Sequence, residues 1–283
     1  MARFAFAVLT VLLLAPGAPG QQTGPITPTA PPVIKHIPLH PEVPPPPLPP
    51  AEIVRRFTAN EAKYRDAYKR YGFQQSVRVE EFAGEQGGPT GTFEMKGEVY
   101  LKPTGDQYER ILGQSVSTLQ HLHLTLPDLE VLANMPLFPL AGDVSADYNF
   151  IYRGTEKVDE LNTYDFLVQP KNTQPGRSYF SGVVWVDNED LAIVKSYGQF
   201  VTTEPRPADA LPFVFFETYR ENTEGKYWFP SYIRSDDVIR ENGAELPVRL
   251  IIRTTEFHLA QPSSAPAVGP PKAGNGRNSR SAA

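Results

Sequence analysis

The sequence predicts a mainly β domain of the α+β class, in which one amphipathic helix is followed by a long antiparallel meander. Three observations carry this. The spacing of apolar residues changes near Phe73 from a helical period to a period of two. The alternating runs that follow are separated by turn residues at hairpin spacing. The chain has no cysteine, so neither disulfides nor thiolate metal sites can replace a core, and the middle of the chain is long enough to build one.

Residues 1–20 read as a signal peptide. Arg3 supplies the basic start, Phe4 to Ala15 form an apolar run of about a dozen residues, and Ala18-Pro19-Gly20 places small residues at a cleavage site before Gln21. A membrane span needs roughly 20 apolar residues, so this run is too short for one. No cysteine follows it for lipid attachment, and no later stretch is long and apolar enough to span a bilayer. The expectation is a protein exported to a periplasm, or outside the cell, with no transmembrane segment in its mature form. Its formal charge of −5 becomes one unit more negative when Arg3 is removed, which disfavours nucleic acid and other polyanions as partners.

Residues 21–50 are dominated by proline and end in Pro-Pro-Leu-Pro-Pro, a composition that favours extended polyproline II over a packed core. They read as a spacer before a domain at 51–260. Residues 261–283 are rich in Pro, Ser, Ala and Gly and are expected to be a disordered tail. At the start of the domain, Ile53, Phe57, Tyr64, Tyr68 and Tyr71 recur at helical multiples opposite a charged face of Arg55, Arg56, Glu61, Lys63, Arg65 and Lys69. Pro50 near the first turn and Gly72 after the last aromatic mark the expected start and stop.

The alternation is clearest where Phe93, Met95, Gly97, Val99 and Leu101 are interleaved with polar residues. Further strand-like runs are expected at 107–112, 148–153, 163–168, 178–186, 191–201, 211–220, 226–240 and 246–257. The acidic stretch Asp187-Asn188-Glu189-Asp190 reads as a solvated hairpin turn, and Asn242-Gly243 carries the preference of a type I′ turn. Residues 115–143 break the rhythm. Leu119, Leu122, Leu126, Leu129, Leu132 and Met135 fall at helical spacing, and Met135-Pro136-Leu137-Phe138-Pro139-Leu140 is apolar but broken by proline. This segment is expected to form short helices and an apolar loop covering one face of the sheet.

Templates for chemistry find nothing to match. There is no nucleophile elbow, phosphate-binding loop, dinucleotide fingerprint or zinc-protease helix, and no thiol. His121 and His123 lack an identifiable third metal ligand. The acidic turn at 187–190 lacks the glycine and terminal glutamate of a calcium loop, and Asp236-Asp237 has no second carboxylate at glycosidase spacing. The chain is therefore expected to be non-catalytic, without cofactor or metal. The informative feature is apolar surface: Val183 to Val186, Leu211 to Phe216 and Tyr227 to Phe229 are apolar at successive positions. Strands of that kind are buried on both faces. Either a second sheet packs behind the first, or a curved sheet encloses its helix and lid around an apolar cavity.

The order of helix, first strand Phe73 to Arg78 and second strand Gly97-Glu98-Val99-Tyr100-Leu101-Lys102-Pro103 resembles the periplasmic lipoprotein-sorting family, the LolA-like carriers with LolB and RseB. The hairpin from Trp185-Val186-Asp187 to Leu191-Ala192-Ile193-Val194-Lys195 resembles the same family, and the likeness spans 52–259. The resemblance implies an incomplete antiparallel β-barrel of about eleven strands with short lid helices over a hydrophobic cavity. It also implies a carrier that holds acyl chains of lipoproteins or similar lipids and passes them to an outer-membrane acceptor. Carriers of the family commonly have an arginine between the residues corresponding to Lys102 and Pro103, which holds the lid by hydrogen bonds; this chain lacks it. On this reading Phe93, Met95, Val99 and Leu101, with Leu129, Leu132, Met135 and Phe138 of the lid, line the ligand cavity of a monomer. The competing reading is a structural envelope protein that contacts partners through its proline spacer and sheet edges.

Overall fold

The computed structural model describes residues 44–84, 87–101, 107–112, 115–133, 135–207, 210–241 and 243–260. The segments expected to be signal peptide and C-terminal tail, most of the expected spacer, and Lys102-Pro103 lie outside the described residues. The element order is α1 (Pro50–Tyr68), β1 (Tyr71–Glu81), β2 (Gly91–Leu101), β3 (Gln107–Ile111), β4 (Val116–Ser117) and α2 (Leu126–Ala133). There follow β5 (Tyr148–Val158), β6 (Leu161–Pro170), β7 (Tyr179–Asp187), β8 (Ile193–Val201), β9 (Phe215–Thr223), β10 (Tyr227–Glu241) and β11 (Ala244–Leu259). The eleven strands make one antiparallel sheet in the order β3-β2-β1-β11-β10-β9-β8-β7-β6-β5, with β4 paired to β2. Among the described residues the ends β3 and β5 do not pair with each other, so the barrel is incomplete.

The helix lies on one face of this sheet and sets its inner side. Ile53, Val54 and Phe57 pack with Tyr148, Phe166, Val184 and Ile193, while Tyr64, Ala67 and Tyr68 pack with Phe73, Val99, Trp228 and Phe229. Tyr68 alone meets the rings of Phe73, Phe138, Phe229 and Phe257 edge-on or tilted, at 5.0 to 6.1 Å between centroids. Rings in this arrangement interact favourably beyond the area they bury. Among the described residues no helix is long and apolar enough to cross a membrane.

Three sequence expectations are corrected. Tyr71 belongs to β1 and not to the helical stripe, because the helix ends at Tyr68 with Lys69 as its cap. Gly72 is therefore a strand residue: a Cβ there would lie 2.6 Å from His258 Nε2 and 3.0 Å from the Val99 carbonyl. Residues 211–214 are not strand but a connection into β9, interrupted at Pro212, whose Phe213 is buried under the lid. Asp187 is not solvated. It is 4 % exposed and accepts the N–H groups of Glu189 at 3.2 Å and Asp190 at 2.7 Å, which closes the β7–β8 turn.

No second sheet covers the outer face among the described residues; long cations do. Register places Trp185 opposite Lys195, Lys195 opposite Tyr219, Tyr219 opposite Tyr232, and Tyr232 opposite Arg253. The Lys195 ammonium sits 4.9 Å from the Trp185 ring and 4.8 Å from the Tyr219 ring, and the Arg253 guanidinium is 5.0 Å from the Tyr232 ring. Apolar stems and cation–π contacts thus shield aromatics that alternation sends outward.

Between β7 and β8 two glycines, Gly182 and Gly198, face each other. A Cβ on Gly182 would lie 2.2 Å from the Tyr197 carbonyl oxygen and 2.5 Å from the Gly198 Cα. The two strands therefore approach more closely than side chains permit, with Phe180 lying alongside. Gly182→Ala should lower stability to urea by about 1–3 kcal/mol, the usual cost of overpacking. Gly84→Ala, where a Cβ would meet no atom within 4 Å among the described residues beyond its chain neighbours, should stay within about 0.5 kcal/mol of the parent.

Candidate functional site

The site is the lid, residues 119–140, and what it covers. Its helix α2 is short because it begins at a capping box and ends in the Met135–Leu140 run, where Pro136 and Pro139 supply no backbone donors. Thr125 Oγ1 and the Asp128 carboxylate are 2.6 Å apart, and the Thr125 N–H reaches back to Asp128 at 2.8 Å. Leu132 is buried, and Leu119, Leu122, Leu129 and Met135 pack beside it onto Val77, Val79, Phe93, Met95 and Leu250.

Two buried charges hold the lid at its ends. At the first, Glu81 on β1 is 1 % exposed and its carboxylate accepts three successive backbone N–H groups, from Gln120 at 2.8 Å, His121 at 2.9 Å and Leu122 at 2.6 Å. At the second, Arg220 on β9 points inward, with its side chain 2 % exposed. It makes a bidentate ion pair with Glu61 of α1, its second contact being Nη2 to Oε2 at 3.0 Å, and donates from the same nitrogen to the Leu137 carbonyl at 3.1 Å. Its guanidinium also lies 4.9 Å from the Phe138 ring centre. One side chain therefore joins helix, sheet and lid. Burial pushes the Glu61 carboxyl above the usual carboxylate range, and the charge and hydrogen bonds of Arg220 pull it only part of the way back. Burial likewise pushes the Tyr64 hydroxyl, one turn along the helix, up to about 12.

Beyond Arg220 the lid meets the strands over a small cavity of about 20 Å³, room for about one water. Met135, Pro136, Leu137 and Pro139 form its roof. Its floor is Phe180, Gly198, Phe200, Phe216 and Ile233, with Ser196 and Thr218 as its side-chain hydroxyls. The close approach at Gly182 and Gly198 makes this floor low.

The structure sorts the eight residues singled out from the sequence into different places. Phe93, Met95 and Leu132 are buried together in one core cluster, with Leu129 and Met135 packed against it. Val99 lies in the cluster under the end of α1, with Phe138 against it. Met135 also roofs the cavity, and the side chain of Leu101 lies outside the described residues. Of the floor residues on β7 to β10, Phe216 lay in an apolar run singled out from the sequence, and the others escaped sequence reading. The available signal was glycine within strand-forming runs at 182 and 198, which marks close backbone approach. Arg220 and Glu81 escaped it as well, because a charged residue in an alternating strand reads as solvent-facing.

Among the described residues no group of three His, Cys, Asp or Glu side chains gathers as a metal site. His121 and His123 are exposed, and Asp236 is engaged by Arg234 at 2.5 Å and Arg249 at 2.7 Å. The arrangement suits binding in an apolar space closed by a segment that two charges tether.

No family model matches the chain, and no curated protein matches it. Among solved structures it is similar to a DUF1329 family protein from Desulfovibrio piger, with 13 % identity and TM-score 0.36 over 74 % of this chain and 93 % of that one. It is also similar to a LolA superfamily protein from Nitrosomonas europaea, with 12 % identity and TM-score 0.31 over 75 % and 93 %. An outer membrane lipoprotein-sorting protein domain from Vibrio parahaemolyticus shows 14 % identity and TM-score 0.32 over 71 % and 90 %. LolA-like structures are thus among those the chain is similar to, as its helix and second strand suggested.

Removing one partner of the buried pair should cost far more than replacing both. Glu61→Leu or Arg220→Leu alone strands a buried charge and should cost about 3–5 kcal/mol by urea denaturation, whereas the double replacement should recover most of that loss.

Proposed function

We propose that this protein is a periplasmic, non-catalytic carrier that binds acyl chains of lipoproteins or related lipids beneath the lid at 119–140. The observation that carries the reading is the tethering of an apolar, proline-broken lid by two buried charges over an apolar floor. Leu137 is held by one charge-assisted hydrogen bond, and Phe138 by one cation–π contact. Those two contacts together contribute roughly 2–5 kcal/mol. An acyl chain entering between lid and floor gains about 0.8 kcal/mol per buried methylene. Roughly a dozen methylenes therefore outweigh the second tether, and the lid moves aside for a ligand that replaces its apolar contacts. Because the closed cavity holds only about one water, binding and lid movement are the same event.

On this reading the ligand lies along Phe180, Phe200, Phe216 and Ile233, with Met135, Leu137 and Phe138 displaced to its flank. Phe93, Met95 and Val99 form the wall behind the lid, and Leu132 packs the lid helix against Phe93 and Met95. Export through the segment ending at Gly20 brings the carrier to its ligands, and an outer-membrane acceptor receives the cargo.

Titration with a fluorescent fatty acid tests the reading. The parent should bind saturably, and Met135→Glu, at a half-buried lid position, should fold and bind at least tenfold more weakly. Met95→Glu, which buries an unpaired charge in the core, should not fold. A parent without saturable binding would overturn the proposal.

A further inference from the structure

Outside the lid, the sheet leaves the edge of β5 without a strand partner among the described residues. Its two halves differ. In the second half, Arg153 is the extra residue of a bulge between Tyr152 and Gly154, and Lys157 follows; a bulge and outward cations are common devices that blunt a sheet edge. The first half, Tyr148-Asn149-Phe150-Ile151-Tyr152, has neither. It carries no charge, no proline and no bulge, and Ile151 is 48 % exposed.

The direction of its free backbone groups follows from one bond. Lys171 N–H donates to the Asp147 carbonyl across the β5–β6 pairing. Antiparallel alternation then turns the groups of Asn149 and Ile151 toward β6 and those of Phe150 and Tyr152, with the Tyr148 carbonyl, toward the empty side. The Tyr148 N–H is taken by the Val144 carbonyl at 3.1 Å.

This five-residue edge is self-complementary about Phe150. Two antiparallel copies centred there set Tyr148 against Tyr152 on the inner face, Asn149 against Ile151 on the outer face, and Asp147 against Arg153 at each end. Shifting the centre by one residue still opposes rings, Phe150 against Tyr152 or against Tyr148, but loses the charge match at both ends. Arg153 is only loosely engaged in the single chain, 3.6 Å from Asp165, and Asp147 accepts from Arg177 at 3.2 Å. A two-fold interface of this kind uses the same patch on both partners.

We propose that the first half of β5 pairs with the β5 of a second copy about Phe150, joining two open sheets into a homodimer. This departs from the monomer expected from the sequence, and it is independent of whether the lid binds lipid. The occupant is a second copy because the same segment supplies the free backbone groups, the matching rings and both signs of charge.

The absence of cysteine makes the register directly testable in the full exported chain. Asn149 and Ile151 would face each other as a non-hydrogen-bonded pair, with Cα atoms about 4.5 Å apart, within disulfide range. Mixed under oxidising conditions, Asn149→Cys and Ile151→Cys proteins should form the 149–151 cross-link. The parent should sediment as a dimer at tens of micromolar. Asn149→Lys with Ile151→Lys, at two exposed positions, sets like charges opposite each other and should shift it to monomer with an unchanged melting temperature. A monomeric parent, or cross-links of 151 to 151 in preference to 149–151, would overturn the proposal.

Discussion

The ion pair between Glu61 and Arg220 is the point on which helix, sheet and lid converge. Glu61 sits on the buried side of α1, so the helix can settle on the sheet only if that carboxylate finds a cation there. Arg220 supplies it from β9 and spends a remaining donor on the Leu137 carbonyl, so the position of the lid follows from the docking of the helix. The Arg220 Nε has no hydrogen-bond partner among the described residues. A buried pair of this kind contributes little net stability relative to apolar residues of equal volume, but it allows few other arrangements once formed.

The tether at Glu81 differs in kind. Glu81 meets three backbone donors in sequence, which fixes the path of the chain at 120–122 regardless of the side chains there. Arg220 meets a single carbonyl and a single ring. In the proposed carrier the first end of the lid is the hinge and the second the latch, with the capped helix α2 between them. Family carriers are expected to use an arginine between positions equivalent to Lys102 and Pro103. Here a guanidinium from a different strand reaches a lid carbonyl.

Much of this fold was legible in the sequence, and for definite reasons. Alternation from Phe93 to Val99 and the aromatic stripe of α1 are local patterns that tertiary packing reinforces. The break at Met135–Leu140 was legible because proline excludes a central strand. Other features were hidden because they depend on partners distant in the chain. Arg220 reads as an outward strand residue until Glu61, on the first helix, is brought beneath it. Glu81 reads as solvent-facing until the lid arrives. The cavity floor was not legible as one surface because Phe180, Phe200, Phe216 and Ile233 come from four strands. The outer aromatics left a second sheet open as one of two readings, because a lysine or arginine stem does not register as apolar cover.

The claim that ties these observations together is that the lid hinges at Glu81 and unlatches at Arg220 when an acyl ligand enters. Amide hydrogen exchange with and without a saturating fatty acid tests it most directly. The account predicts faster exchange at Met135, Leu137, Phe138, Leu140 and Ala141 in the bound protein, with Gln120, His121 and Leu122 as protected as before. Bound fatty acid that left the 135–141 amides unchanged, or slowed their exchange, would contradict it.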